Sequence, residues 1–369
     1  MTKFQKAICI VLSLCFFTVL AVVPGPFFLY ENVFRQLPLY CFLEKKVSEA
    51  SPYEDQETYQ KVVKENGKYL GSKNQDKPLK ENNIQPQTEQ EEEPEKEPEK
   101  TENTKETLAV PWPSIDLSPA KLADFDYLLG QFYIVDSNTQ TSPEQLNAAR
   151  FLKENLVISK KKSTPQILIY HSHSQEAFSD SREGKEEDTI VGVGDYLTQI
   201  LEKKYGYGVI HVKEKFDMKS GQLDRSAAYD YAGKFLEDFL EKNPGIQVII
   251  DLHRDGVDDS RHLVTEINGK PTAQILFYNG LSYTLTKGRL TYLPNPYIEE
   301  NLAFSFQLEY QAARYYPDFY RGIYLAGYRY NQHFRPRSVL LEAGAQTNTV
   351  QEVKNAMEPF ADILDKVLQ

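Results

Sequence analysis

The chain has 369 residues, of which 41% are hydrophobic, and its formal net charge at pH 7 is -11. This length indicates two domains, or one domain with extensions. The acidic balance, with no basic face in the sequence, argues against a nucleic-acid-binding protein. The three cysteines, Cys9, Cys15 and Cys41, all lie near the N-terminus, so we expect neither a disulfide framework nor a cysteine metal site in the main domain.

The N-terminal 50 residues have the pattern of a membrane anchor. Lys3 and Lys6 precede an apolar stretch at 7–23, whose length lies between that of a signal-peptide core and that of a membrane span. No A-x-A cleavage site follows, so we predict an uncleaved, single-pass anchor at 1–50 in the cell membrane. A cleaved signal is the alternative. The lysines place the N-terminus inside and the remaining chain outside the membrane.

Residues 51–109 have a different composition, dominated by Gln, Glu, Lys and Pro. Such a segment cannot bury enough apolar surface to offset its ordering entropy, so it is predicted to be a disordered acidic linker. Charge repulsion and proline would extend it into a spacer, although an interaction tail is an alternative. Two helical patterns follow, so 110–164 is predicted to be a helical lead-in to the main domain at 165–369.

From residue 165 onward, apolar runs typical of buried strands alternate with helical patterns. Such runs occur at 167–170, 208–212 and 247–252, and a later one at 338–344. Alternation of this kind predicts an α/β fold with a mostly parallel sheet flanked by helices. Asn268-Gly269, between two strand-like runs, predicts a β-hairpin insertion with a type I′ turn. Further elements are expected as a helix at 296–316, a strand at 322–330, and a last helix opened by a Thr349/Glu352 capping box.

Metal-ligand side chains follow two of the predicted strands. His171, His173 and Glu176 come directly after the first run, and His253 comes after the run at 247–252. Because the carboxyl ends of parallel strands meet at one edge of a sheet, these groups are expected to converge. Three such ligands and one open position make a catalytic Zn²⁺ site. Strand alternation places both histidines of the pair on one face, so the spacing does not choose between them.

Glu342, after the apolar run at 339–341, is the predicted general base. Zinc-assisted hydrolysis needs a separate carboxylate that takes a proton from water and passes it to the leaving amine. An ion pair with Arg335 or Arg337 is the alternative role for this glutamate. No G-x-S-x-G elbow, Gly-rich phosphate loop or H-E-x-x-H helix occurs, which argues against serine hydrolases, nucleotide binding and common zinc proteases.

Three further residues are candidates for contacts around this site. Asp251 is expected to support a ligand rather than to bind the metal. Arg254 would steady a substrate carboxylate, or else pair with Asp255. His211 would contact the substrate or a metal ligand, or else be an ordinary core histidine.

The stretches HSHSQEAF, NPGIQVIIDLHRDG and VLLEAG, with the anchor and linker before them, resemble the stage II sporulation protein P family. The resemblance covers roughly 125–368. Members of this family are membrane-anchored peptidoglycan hydrolases of endospore-forming bacteria, similar in fold to zinc-dependent N-acetylmuramoyl-L-alanine amidases. The resemblance implies that one or both of His171 and His173, with Glu176 and His253, hold Zn²⁺, and that Glu342 is the general base.

The same resemblance implies the reaction and the partners. The reaction is hydrolysis of the amide between the muramoyl lactyl group and L-alanine, sometimes with cleavage of peptide cross-links, during spore engulfment. The partners are peptidoglycan and the stage II sporulation proteins D, a lytic transglycosylase, and M, a membrane protein. The alternative hypothesis is a catalytically silent wall-binding or scaffold protein of the septal complex.

Overall fold

The computed structural model describes residues 111–161 and 164–369. Its helices are α1 (Pro119–Leu122), α2 (Phe125–Phe132), α3 (Ala148–Phe151), α4 (Ile190–Ile200), α5 (Ala228–Lys242), α6 (Ile298–Tyr315) and α7 (Val350–Leu368). Its strands are β1 (Tyr133–Val135), β2 (Ile167–Tyr170), β3 (Val209–His211), β4 (Met218–Lys219), β5 (Gln222–Leu223), β6 (Val248–Asp255), β7 (Val264–Ile267), β8 (Lys270–Ala273), β9 (Ile275–Gly280), β10 (Tyr283–Thr284), β11 (Gly288–Arg289), β12 (Tyr320–Ala326) and β13 (Ser338–Ala345).

A seven-stranded sheet organises these elements, in the spatial order β1-β12-β9-β13-β6-β2-β3. Every neighbouring pair is parallel except β9 and β13, which are antiparallel. The predicted mostly parallel, helix-covered sheet is therefore confirmed. Since β2, β6 and β13 run in the same direction, their carboxyl ends lie at the same edge of the sheet.

Side-chain alternation divides the sheet into two covered faces. Ile167 and Ile169 of β2 pack in one apolar cluster with residues of α4, α6 and α7. Leu168 and Tyr170 pack on the opposite face with Ala232, Leu236 and Leu240 of α5. Because both faces are buried, the central strands are apolar at nearly every position, as parallel strands require.

The hairpin β7–β8 confirms the prediction made from Asn268-Gly269. The two strands are antiparallel, and both turn residues have positive φ, 52° and 74°, as a type I′ turn needs. The capping box at Thr349 and Glu352 is also present at the start of α7. The predicted helix at 296–316 and strand at 322–330 occur as α6 and β12, with shifted ends.

The segment predicted as a helical lead-in also contributes a strand. β1 pairs in parallel with β12, and Phe132, Phe151 and Leu156 belong to the main apolar cluster. Of the two helical patterns predicted in this segment, the second, at 142–156, forms only the short helix α3.

The predicted anchor at 1–50 and linker at 51–109 lie outside the described residues. Within 111–161 and 164–369, the structure contains no helix with the length and apolar character needed to cross a bilayer.

Candidate metal centre

Three predicted ligands come together beside the carboxyl ends of β2 and β6. β2 ends at Tyr170, and the turn that follows carries His173 and Glu176, while His253 lies in β6. The His173 Nδ1 atom is 3.6 Å from Glu176 Oε1, and the His253 Nδ1 atom is 3.6 Å from Glu176 Oε2. One donor atom from each residue lies within 4.8 Å of the other two, which in the described part of the chain singles out these residues as a candidate metal site.

The donor set and its spacing fit Zn²⁺. Nitrogen and oxygen donors lie about 2.0–2.2 Å from zinc, so two donors at a tetrahedral angle are about 3.4 Å apart. The two 3.6 Å separations are close to that value. All three side chains are buried, which limits competing water. Three protein ligands leave a fourth position open, as catalytic zinc sites do.

Asp251 supports His253 from the side away from Glu176. His253 Nε2 lies 2.8 Å from Asp251 Oδ1, an ion pair whose angle falls short of hydrogen-bond geometry. The backbone N–H and the hydroxyl of Ser172 donate to the same carboxylate at 2.9 and 2.6 Å. A carboxylate on the second ring nitrogen fixes the orientation of a metal-binding histidine. Asp251 thus lies between His253 and the start of the turn after β2, and its supporting role stays a prediction.

Burial and charge act in opposite directions on this cluster. Burial would lower the pKa of His253, but the charges and contacts of Asp251 and Glu176 raise it well above its usual value. Burial would raise the pKa of Glu176, but the nearby His173 and His253 imidazoles hold it well below its usual range. A metal ion binds only neutral imidazole, so zinc binding at this cluster would compete with protonation of His253.

His171 does not join this group. Its Nδ1 donates to the Leu252 carbonyl at 2.7 Å, and its Nε2 lies 2.8 Å from His211 Nε2. His173 instead contacts the rings of Tyr229 and His253. The expectation that both histidines face the same way is wrong, because β2 ends at Tyr170 and strand alternation does not extend through the following turn.

The described contacts of Arg254 involve the backbone. Its backbone N–H donates to Glu176 Oε2 at 2.9 Å. Its guanidinium donates to the carbonyls of Ala177 and Asp255, at 3.0 and 3.2 Å. Arg254 thus connects the turn after β2, which we call the ligand turn (residues 171–177), to the end of β6. It donates to the Asp255 backbone carbonyl, and not to the Asp255 side chain, which was the alternative pairing considered for it.

Glu342 lies beside His253 in the adjacent strand. The two residues are direct partners in the parallel pairing of β13 with β6, so their side chains project from the same face of the sheet. Leu340, two residues earlier, packs in a cluster with Tyr229, which identifies that face as the one covered by α5. Glu342 is half-buried. Arg335 and Arg337, its alternative partners, donate to backbone carbonyls elsewhere.

Two residues at this site had no signal in the sequence. The Tyr229 ring is stacked on His253 with an interplanar angle of 10° and a centroid distance of 6.4 Å. Arg225 Nη1 lies 3.8 Å from Glu176 Oε1, and its side chain is 32% exposed. Both come from the start of α5 and the loop before it, and their sequence, RSAAYD, contains no recognisable motif.

Comparison with known proteins identifies the family. The profile of the family described as Stage II sporulation protein P (SpoIIP) matches residues 31–365. The chain belongs to this family. The match includes every residue of the candidate site, and it confirms the resemblance seen in the three sequence motifs. A curated relative, the Stage II sporulation protein P of Bacillus subtilis (strain 168), is 26% identical over 216 residues. That alignment covers 54% of this chain and about half of the relative, 50%.

Solved structures with some similarity to this chain include bacterial amidases. The catalytic domain of CwlV, an N-acetylmuramoyl-L-alanine amidase from Bacillus (Paenibacillus) polymyxa var. colistinus, is 12% identical with a TM-score of 0.34, covering 55% of this chain and 96% of that one. The amidase AmiC2 of Nostoc punctiforme is 15% identical with a TM-score of 0.33, covering 56% and 98%. An amidase from Clostridium difficile 630 is 15% identical with a TM-score of 0.32, covering 55% and 94%.

Proposed function

We propose that this protein is a zinc-dependent peptidoglycan hydrolase that cleaves the N-acetylmuramoyl-L-alanine amide during spore engulfment. The observation that carries the proposal is the buried His173, Glu176 and His253 cluster, with Glu342 beside His253 on the same face of the sheet. Membership of a sporulation protein family supports the biological setting.

The roles of the side chains follow from their positions. His173, Glu176 and His253 would hold Zn²⁺, which when bound lowers the pKa of a water molecule and polarises the substrate carbonyl. Glu342 would accept the proton of that water and deliver it to the departing amine of L-alanine. Asp251 keeps the Nε2 atom of His253 occupied, so that Nδ1 faces the metal position. The Tyr229 ring lies nearly parallel to that of His253 and would cover one side of the imidazole.

The remaining assignments belong to the same proposal. An N-terminal anchor at 7–23 would hold the protein in the cell membrane, with the catalytic domain on the outer side at the sporulation septum. The stage II sporulation proteins D and M would be its partners, and peptide cross-links of the wall a second substrate. These assignments rest on the sequence pattern and on the family resemblance.

The proposal is tested by metal content and by release of stem peptides from purified sacculi, using the full-length protein. Wild type should bind about one zinc and release peptides. Glu342→Gln should keep the metal and lose about 10²–10⁴-fold in rate, the usual contribution of a general base. His253→Ala should lose both. The matched control is Glu237→Gln, which changes an exposed carboxylate of α5 and should behave as wild type.

Two outcomes would contradict the proposal. A wild-type protein that binds no zinc and releases nothing, even with a lytic transglycosylase present, would indicate a wall-binding or scaffold protein instead. Full activity of Glu342→Gln would leave the metal centre in place but remove Glu342 from the mechanism.

A further inference from the structure

A second group of buried titratable residues lies behind the candidate metal centre, on the face of the sheet covered by α4. It consists of His171, His211 and Asp195. The His171 side chain is fully buried and that of His211 is 5% exposed. His171 Nδ1 lies 2.7 Å from Leu252 O, and His171 Nε2 lies 2.8 Å from His211 Nε2. His211 Nδ1 in turn lies 2.9 Å from Asp195 Oδ1. Lys213 donates to the other oxygen of Asp195 at 2.6 Å.

This chain of contacts determines how His171 is used. Leu252 O and Asp195 Oδ1 can only accept, so the Nδ1 atom of each imidazole donates. The two Nε2 atoms face each other at 2.8 Å, and because both Nδ1 atoms carry a proton, this contact is a hydrogen bond only when one of the rings holds a second proton. The two ring nitrogens of His171 are therefore directed at Leu252 O and at His211, and not at the candidate metal centre. Its role has to be sought in what it connects.

What it connects is the backbone of the two ligand-bearing segments. The last residue pair between β2 and β6 is Tyr170 with Asp251, so the regular pairing stops before either metal ligand is reached. Beyond it, Ser172 bonds Asp251 on one face and His171 bonds the Leu252 carbonyl on the other. His171 is two residues before His173, and Leu252 is directly before His253.

The α4 helix is shaped to admit this pair of rings. A Cβ atom added to Gly194 would lie 2.6 Å from His211 Nε2 and 2.9 Å from His171 Nε2, closer than real contacts allow. The next residue of α4, Asp195, supplies the carboxylate that orients His211. The helix therefore provides both the space and the anchor for the His171–His211 pair.

From this geometry we propose that His171, His211 and Asp195 are positioning residues, which hold His173 and His253 at metal-binding separation before the ion arrives. The inference rests on the proposed metal centre. Asp195 orients His211, His211 fixes the His171 ring, and His171 ties the ligand turn to the end of β6. Ligands held in place before binding bind more tightly, because less ordering entropy is lost on binding.

The test measures zinc affinity by chelator competition on the full-length protein, and the unfolding of the metal-free protein in urea. His211→Leu removes both polar contacts of the ring, with His171 and with Asp195, and should lower zinc affinity about 10–100-fold, as loss of such supporting contacts does. His211→Gln keeps a donor toward His171 and should recover most of this loss. The visible spectrum of the Co²⁺-loaded protein should shift for His211→Leu, because that spectrum reports ligand geometry.

Two milder variants keep the test informative if His211→Leu does not fold. Asp195 is 42% exposed on its side chain, so Asp195→Asn should fold and should show a smaller loss of zinc affinity in the same direction. Lys213→Met removes the other partner of Asp195 but leaves both rings in place, and should bind zinc as wild type does. Tyr196→Phe, which loses a bond from the neighbouring residue of α4 to Glu358, is the matched control.

The outcomes separate this inference from the proposed function. Wild-type zinc affinity in folded His211→Leu and Asp195→Asn, or a loss confined to metal-free stability, would overturn the positioning role and leave the metal centre intact. A wild-type protein that binds no zinc would overturn both proposals.

Discussion

Replacing Asp251 tests the framework of the site without requiring substrate. This carboxylate is 2% exposed, accepts two hydrogen bonds from Ser172, and lies 2.8 Å from His253 Nε2. Asp251→Ala would leave two buried donors without acceptors, at about 1–3 kcal/mol each, together with an unpaired His253. The expected loss is at least about 3 kcal/mol, a large part of the roughly 5–15 kcal/mol that stabilises a typical domain.

Asp251→Asn separates the charge from the hydrogen bonds. Its amide oxygen can still accept from the backbone N–H of Ser172, and its NH₂ group can donate to the Ser172 hydroxyl. Only the negative charge facing His253 is lost. A charged hydrogen-bonding partner contributes roughly 1 kcal/mol more than a neutral one, so this variant should lose about that amount in the metal-free protein.

Urea unfolding of metal-stripped protein, followed by zinc titration, measures both effects. Both variants should bind zinc about 10–100-fold more weakly than wild type, because His253 loses its orienting carboxylate. Equal stability of the alanine and asparagine variants would refute the hydrogen-bond reasoning. Unchanged zinc affinity would show that Asp251 does not orient His253.

Three further predictions concern other parts of the fold. Gly194→Ala should destabilise the protein by about 1–3 kcal/mol in urea unfolding, because the added Cβ would clash with His171 and His211. Gly130→Ala is the control: nothing lies near the added Cβ, so this variant should be neutral or stabilising by up to about 1 kcal/mol. Arg321→Met should lower the free energy of unfolding by about 3–5 kcal/mol, because the buried Asp255 carboxylate loses its ion pair with Arg321. The double variant Arg321→Met/Asp255→Asn should recover part of that free energy in the same assay. Glu352→Ala should cost about 1–2 kcal/mol at pH 7 through loss of the capping box of α7. Burial alone would raise the pKa of Glu352, but hydrogen bonds from His262 and the Thr349 backbone lower it. The stabilisation is therefore present above the unfolded-state pKa and is lost as the pH falls through the folded-state pKa. If the difference in unfolding free energy between wild type and Glu352→Ala did not shrink below about pH 4, this reasoning would be contradicted.

Local sequence determined the elements that have strong local signals. The apolar runs of β2, β6 and β13 are strands because both of their faces are buried, and Asn268-Gly269 forms a turn because both residues adopt positive φ. Strand polarity then places the groups that follow β2, and those near the carboxyl end of β6, at one edge of the sheet. The convergence of His173, Glu176 and His253 was predictable for this reason.

Other features depend on contacts between distant segments. The sequence of β1 lies in a region predicted to be helical. It forms a strand because it pairs with the exposed edge of β12 in the sheet. The reversal of direction between β9 and β13 has no local pattern, since any two apolar strands can pair in either direction. Tyr229 and Arg225 reach the metal centre only because α5 packs over β2 and β6.

The pair His171 and His173 shows both what the local sequence determines and what only tertiary contacts decide. Sequence alone establishes that two imidazoles follow a buried strand, and this is enough to predict a metal site at its end. It does not establish at which residue the strand stops. That is decided by pairing with β6, which ends at Tyr170 and Asp251, and by the space that Gly194 leaves on α4. Side-chain direction beyond a strand is set by the partners that the turn meets. Only the tertiary structure therefore places His173 in the candidate metal site and His171 outside it.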